Sequence, residues 1–317
     1  MTATVSRAAQ PLATLPRPDR WHRPLLALAA GMLMLSVVCG ILAIVDPRLI
    51  LGQNAWFKPL KFSLSIAVYA VTLAWLIGQV HRWRRAASIA GTIVVIALVA
   101  EMVIIVGAAA AGTTSHFNVS TPLNTTLWSV MAASIVIVWI VTLLVGIALV
   151  VSPTPDAARN LAIRGGVALG LVGMAVAFLM TGPTPGQLDD FQGIAGAHAV
   201  GVADGGAGLP FLGWSTEGGD LRVPHFVGMH ALQILPLSLL ALELLSRRMP
   251  ALRDGGVRWR LVMLLTVAYA AMIGILTWQA LIGQSVVAPA GPVLAAGIGV
   301  AVATVAACAA VVVGARR

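Results

Sequence analysis

A chain of 317 residues that is 59% hydrophobic and only 10% charged is not a soluble globular domain, which carries roughly 25% charged residues. Its formal charge of +9 would suggest nucleic acid in a soluble protein. Here Lys and Arg instead gather in short segments between apolar runs, as in cytoplasmic loops, so no nucleic-acid partner is expected. The apolar runs are continuous and about 20 residues long, enough to cross a hydrocarbon core of about 30 Å. Barrel strands alternate, and these runs do not. The expected fold is therefore all-α: a polytopic integral membrane helix bundle of about eight transmembrane helices in the cell membrane, with the lipid bilayer as its first partner.

Residues 1–23 are polar, with three prolines and Arg7, Arg17, Arg20 and Arg23, and read as a cytoplasmic N-terminal tail. A transmembrane domain follows over 24–314. Its spans are expected at about 24–45, 58–80, 87–112, 128–151, 165–181, 224–246, 261–284 and 292–314. The first run is long enough to stay as a span, so no cleaved leader is expected. Sixteen of the 20 Lys and Arg fall in the tail, at the C-terminal end, or in the segments 81–85, 152–164 and 247–260. Only Arg48, Lys58, Lys61 and Arg222 fall on the other side. Basic segments resist translocation, so both termini are expected inside. The long connection 182–223, with five of the eleven acids, is then an external loop. The motifs KPLKF and RVPHF mark two outer boundaries, which leaves a parallel four-plus-four repeat open. Cys39 and Cys308 lie in apolar runs and form no CxxC motif or disulfide framework.

The chemistry-bearing residues are few. Both lysines of the chain, Lys58 and Lys61, sit in KPLK. Helical spacing places them in one sector with Ser65, Tyr69 and Thr72. They either snorkel to lipid head groups or attract an anionic or proton-linked ligand. Glu101 falls near the centre of its span, where a charge costs at least about 2.5–3.5 kcal/mol on insertion scales. It must be neutral, paired or facing a wet cavity, and serves either function or interhelical bonding. His116, His198, His225 and His230 all lie toward the outer side, while His22 and His81 lie among inner arginines. Clustered imidazoles invite a metal or haem. However, His225 and His230 diverge on a regular helix, and no HExxH, HxxxH or CxxCH occurs. No metal ligand set is therefore assigned, and no cofactor is named.

His230 and Gln233 share a helical face, and Pro236 is expected to kink that helix by freeing the Leu232 carbonyl. Trp278 and Gln279 lie at a similar depth. Counting depth along the spans places Glu101, Tyr69, Thr72, Gln233 and His230 in one layer, the expected site. Lys61 and His230 would line its outer approach, with Asp220 and His225 at the mouth. Nine glycines in 193–219 suggest a tightly turning loop folded over the bundle as a lid.

The segments GQNAWFKPLKF, TTSHFN and GWSTEGGDLRVPHFVGMHALQ resemble those of multi-pass membrane proteins of high-GC bacteria whose activity is uncharacterised. The resemblance spans most of the chain and implies no substrate or cofactor. From the residues, the expected function is binding or transport of a small molecule or ion through a polar site open to the outer face, with proton coupling. The alternatives are an outer-face membrane oxidoreductase using haem or a metal, and a membrane sensor or assembly protein.

Overall fold

The computed structural model describes residues 20–315. The expected tail therefore lies outside the described residues up to residue 19, as do Arg316 and Arg317. The first half of the chain holds α1 (Arg23–Val45), a hairpin of β1 (Leu49–Ile50) and β2 (Gln53–Asn54), α2 (Phe57–Gln79), α3 (Arg84–Ala110) and α4 (Pro122–Val150). The second half holds α5 (Ala157–Val176), the short α6 (Pro185–Asp189), the paired β3 (Ala199–Val200) and β4 (Gly219–Asp220), α7 (Arg222–Met229), α8 (Ala231–Leu245), α9 (Gly255–Leu281) and α10 (Gly291–Gly314). Seven helical runs are long and apolar enough to cross a membrane, and α7 with α8 makes an eighth, bent by 43°. The chain is an all-α, multi-pass membrane bundle.

Polar caps carry several helices beyond their apolar runs. Thr121 accepts from the Asn124 N–H and Pro122 opens α4, so that helix begins six residues before the expected 128. Asp156 caps α5 and Asp254 caps α9 in the same way, starting both earlier than hydropathy indicates. Apolar length marks only the part of a helix inside hydrocarbon, whereas the cap marks where the backbone begins to turn.

The 43° bend of the eighth span falls upstream of Pro236. Pro236 lies inside α8, and the break falls at His230. The cause is α5, whose Gly166, Gly170 and Gly173 sit one turn apart and face α7 and α8 at backbone contact. Small residues permit such approach between membrane helices. Gly173 meets Gly228, and His225 Nδ1 donates to the Gly173 carbonyl at 2.8 Å. The break leaves the Val227 carbonyl to accept from the Tyr269 hydroxyl of α9 at 2.6 Å. α7 is thus pinned to α5 and α9, and the chain must bend to continue.

Neighbour order is the same in both halves. α1 packs on α2 and α3 on α4, then α5 packs on α7 and α8, and α9 on α10. The main core lies among α1–α5, around Leu73, Ala70, Val94 and Met131. α10 touches chiefly α9 and leaves Ile298, Val302 and Val305 to lipid. At one end of the bundle Arg159 pairs with Glu243 and Arg258 with Asp156, each at 3.4 Å, tying α5 to α8 and α9. At the other end the connection between α5 and α7 folds over the helices. It bonds back through Val119 N–H to Gly193, Ala195 N–H to Phe117 and Lys61 Nζ to Leu212.

Candidate functional site

The site is built by the loop after α3. Gly112 turns the chain with φ +71°, and Phe117 holds the left-handed region at φ +63°. Asn118 braces that conformation: its amide donates to Thr113 Oγ1 and the Thr114 carbonyl, and its oxygen accepts from Ser120. The loop is thereby pushed into the bundle end, with Ser115, Phe117 and Asn118 buried. His116 enters between the rings of Phe62, Phe117 and Trp128, at centroid distances of 5.5, 6.0 and 5.5 Å. Its Nδ1 lies 3.0 Å from Ser115 Oγ, and its Nε2 lies 3.9 Å from Glu101 Oε1.

Glu101 is only 1% exposed, and neither carboxyl oxygen has a hydrogen-bond partner among the described residues. A buried polar group without a partner costs about 1–3 kcal/mol, and a charged one more. Lys58, at the start of α2, is close enough for its charge to act on both Glu101 and His116. Above them His198 and Asp204 form a tight pair at 2.7 Å, with Asp204 also accepting from the His198 and Ala199 N–H groups. The His198 ring packs against Phe117, tilted by 55° with centroids 5.0 Å apart. Glu101, Lys58, His116 and the His198–Asp204 pair thus form one polar group beneath the folded connection.

The expected layer divides here. Tyr69 does not turn toward Glu101; its hydroxyl bonds Thr142 of α4 at 2.7 Å. Gln233 donates to Thr72 at 3.2 Å and accepts from His230 Nδ1 at 3.2 Å, a separate chain joining α8 to α2. Nor does Asp220 stand at a mouth. Its side chain is fully buried, clasped by Arg222 and by the Ser215 N–H. His225 is spent on Gly173. Lys61 donates to the Leu212 carbonyl at 2.8 Å and lies 5.9 Å from the Phe211 ring, so it latches the connection to α2. Trp278 is exposed, and Gln279 bonds the Ser285 carbonyl. Sequence reasoning gave no part in the site to His198 and Asp204. Their six-residue spacing in a glycine-rich segment carries no periodic signal.

Burial holds the His116 imidazole well below its ordinary value, with Lys58, His198 and His225 adding to the effect. His198 is also lowered by burial, although Asp204 opposes this. For Asp204, burial acts upward, but the hydrogen bond and charge of His198 and two backbone N–H groups outweigh it and hold the carboxyl at about 2. The two imidazoles contribute stability that is complete above their unfolded value of about 6.5 and is lost as pH falls below it. Asp204 contributes only at the acid end, where stability is lost between about pH 4 and 2. Acidifying the purified protein from about pH 7.5 to about 5 should therefore lower its thermal midpoint, with Trp128 fluorescence as the local reporter. His116→Phe, set among aromatic rings, should flatten that slope. A midpoint unchanged across this range would mean that the imidazoles are not held neutral by burial.

No family model, curated protein or solved structure matches the chain. Among the described residues, no three His, Cys, Asp or Glu side chains converge in a way that could hold a metal ion.

Proposed function

We propose that this chain binds or transports a small molecule or ion at a site beneath its outer-face connection, and that Glu101 couples the process to a proton or small cation. The single observation that supports this reading is the orphaned carboxyl of Glu101. It is buried, lacks a hydrogen-bond donor among the described residues, lies 3.9 Å from His116 Nε2 and feels the charge of Lys58. Folding gains nothing from such a group, so its natural complement is a ligand that arrives and leaves. The 182–221 connection, latched to α2 through Lys61, acts as the lid on the outer side of the plasma membrane.

The test is proton movement in liposomes loaded with a pH-sensitive dye, challenged with a panel of inorganic ions and small organic solutes. A solute that drives proton flux through the wild type should drive at least about tenfold less through Glu101→Gln, as expected for loss of a charged contact. Equal flux through both proteins would remove Glu101 from the mechanism. A Soret band in the visible spectrum of the same preparation would replace transport with the haem oxidoreductase reading.

A further inference from the structure

The end of the bundle opposite the Glu101 site carries an open cavity of about 310 Å³, where the segment preceding α1 meets α2 and α3. Its lining includes Arg20, Arg23 and Arg84, together with Trp21, Ser88 and Thr92, and among the described residues no acidic one. None of the three arginines is paired with a carboxylate among the described residues. Asp19 lies just outside those residues.

The geometry is held by specific contacts. Arg84 Nη2 donates to the Arg20 carbonyl at 3.4 Å, which brings the start of α3 against the segment before α1. Arg84, Ser88 and Thr92 are spaced four apart and so share one face of α3. His22 forms the floor. Its Nδ1 accepts from the Leu25 N–H, which leaves Nε2 to donate to Thr92 Oγ1 at 3.3 Å. Burial lowers the His22 imidazole from its ordinary value, so the cavity's positive charge comes from the arginines. α1 and α3 both begin at the rim, and their N-terminal dipoles add to the same potential.

We infer that this cavity binds a phosphate-bearing anion, either the head group of an acidic phospholipid or free phosphate. Guanidinium forks match phosphate oxygens in pairs, and the Ser88 hydroxyl supplies a further donor. The volume exceeds that of one phosphate and leaves room for the glycerol of a lipid head group. Basic pockets between helices at the cytoplasmic boundary are the usual seats of anionic lipid heads, with Trp at the same level. The arginine bias assigns this end to the cytoplasm. The inference stands apart from the Glu101 mechanism and does not need it.

The test compares wild type with Arg84→Gln, Arg23→Gln and Arg85→Gln. Arg85 is the neighbour of Arg84, is exposed, and does not line the cavity. Each full-length protein is exchanged into phosphatidylcholine nanodiscs with or without phosphatidylglycerol, and retained lipid is counted by native mass spectrometry. Wild type and Arg85→Gln should retain phosphatidylglycerol, while Arg84→Gln and Arg23→Gln bind it about tenfold more weakly. In a second arm, inorganic phosphate is added to the protein in phosphatidylcholine alone. A thermal shift there, lost in Arg84→Gln and kept in Arg85→Gln, assigns the site to free phosphate. If Arg84→Gln does not fold, Arg84→Lys keeps the charge, loses the fork and should show a partial loss. Equal losses in the Arg84 and Arg85 variants, or no preference for either anion in the wild type, would overturn the assignment.

Discussion

Gly173→Ala should destabilise the protein by about 3 kcal/mol or more, at the upper end of overpacking effects. A Cβ at Gly173 would fall onto the backbone of Gly228 and Met229, and one at Gly228 would fall onto Gly173. Both partners are main chain, so no side chain can rotate away. α5 and α7 would have to separate, and the His225 bond to the Gly173 carbonyl would lengthen with them. The control is Gly40→Ala or Gly107→Ala, where nothing lies within 4 Å of the added methyl. At those positions Ala should be neutral or slightly stabilising, because it favours the helix by about 1 kcal/mol over Gly. Thermal unfolding in one detergent compares the three variants. A Gly173→Ala midpoint equal to that of Gly107→Ala would show that the helices do not meet at this crossing.

Glu101→Met should move stability the other way. If Glu101 serves as structural glue between helices, replacing it removes a bond and the midpoint falls. Among the described residues Glu101 makes no such bond and presents two unsatisfied oxygens in a buried position. Met has nearly the same volume and no polar atom to desolvate. Removing an unsatisfied buried polar group relieves a desolvation cost of about 1–3 kcal/mol. The paired change Lys58→Met with Glu101→Met should gain most, since it leaves no uncompensated charge at the site. A variant that is more stable and inactive would mark the carboxyl as kept for function at a cost to the fold. A fall in the midpoint of both variants would return Glu101 to an interhelical structural role.

The spans were readable from the residues because crossing a bilayer is a local requirement. Each needs a run of apolar side chains of sufficient length, and α1, α2 and α10 match their expected bounds within one residue. The burden on Glu101 was equally local, since a carboxyl amid VVIALVAEMVIIVG must be accounted for wherever the helix packs. Its partners were not. Depth along straight helices placed Glu101 beside Tyr69 and Gln233. Depth gives no rotation about the helix axis, and it cannot show that a loop re-enters the bundle. His116 reaches Glu101 because Asn118 braces a left-handed Phe117, and His198 joins them because the 182–221 connection folds back over that loop. The break at His230 is likewise non-local. Pro236 announces itself in the sequence, but the bend follows the contact between Gly173 and Gly228, two glycines 55 positions apart. Close approach needs a missing side chain on both surfaces at once, and only the packed structure brings those two surfaces together.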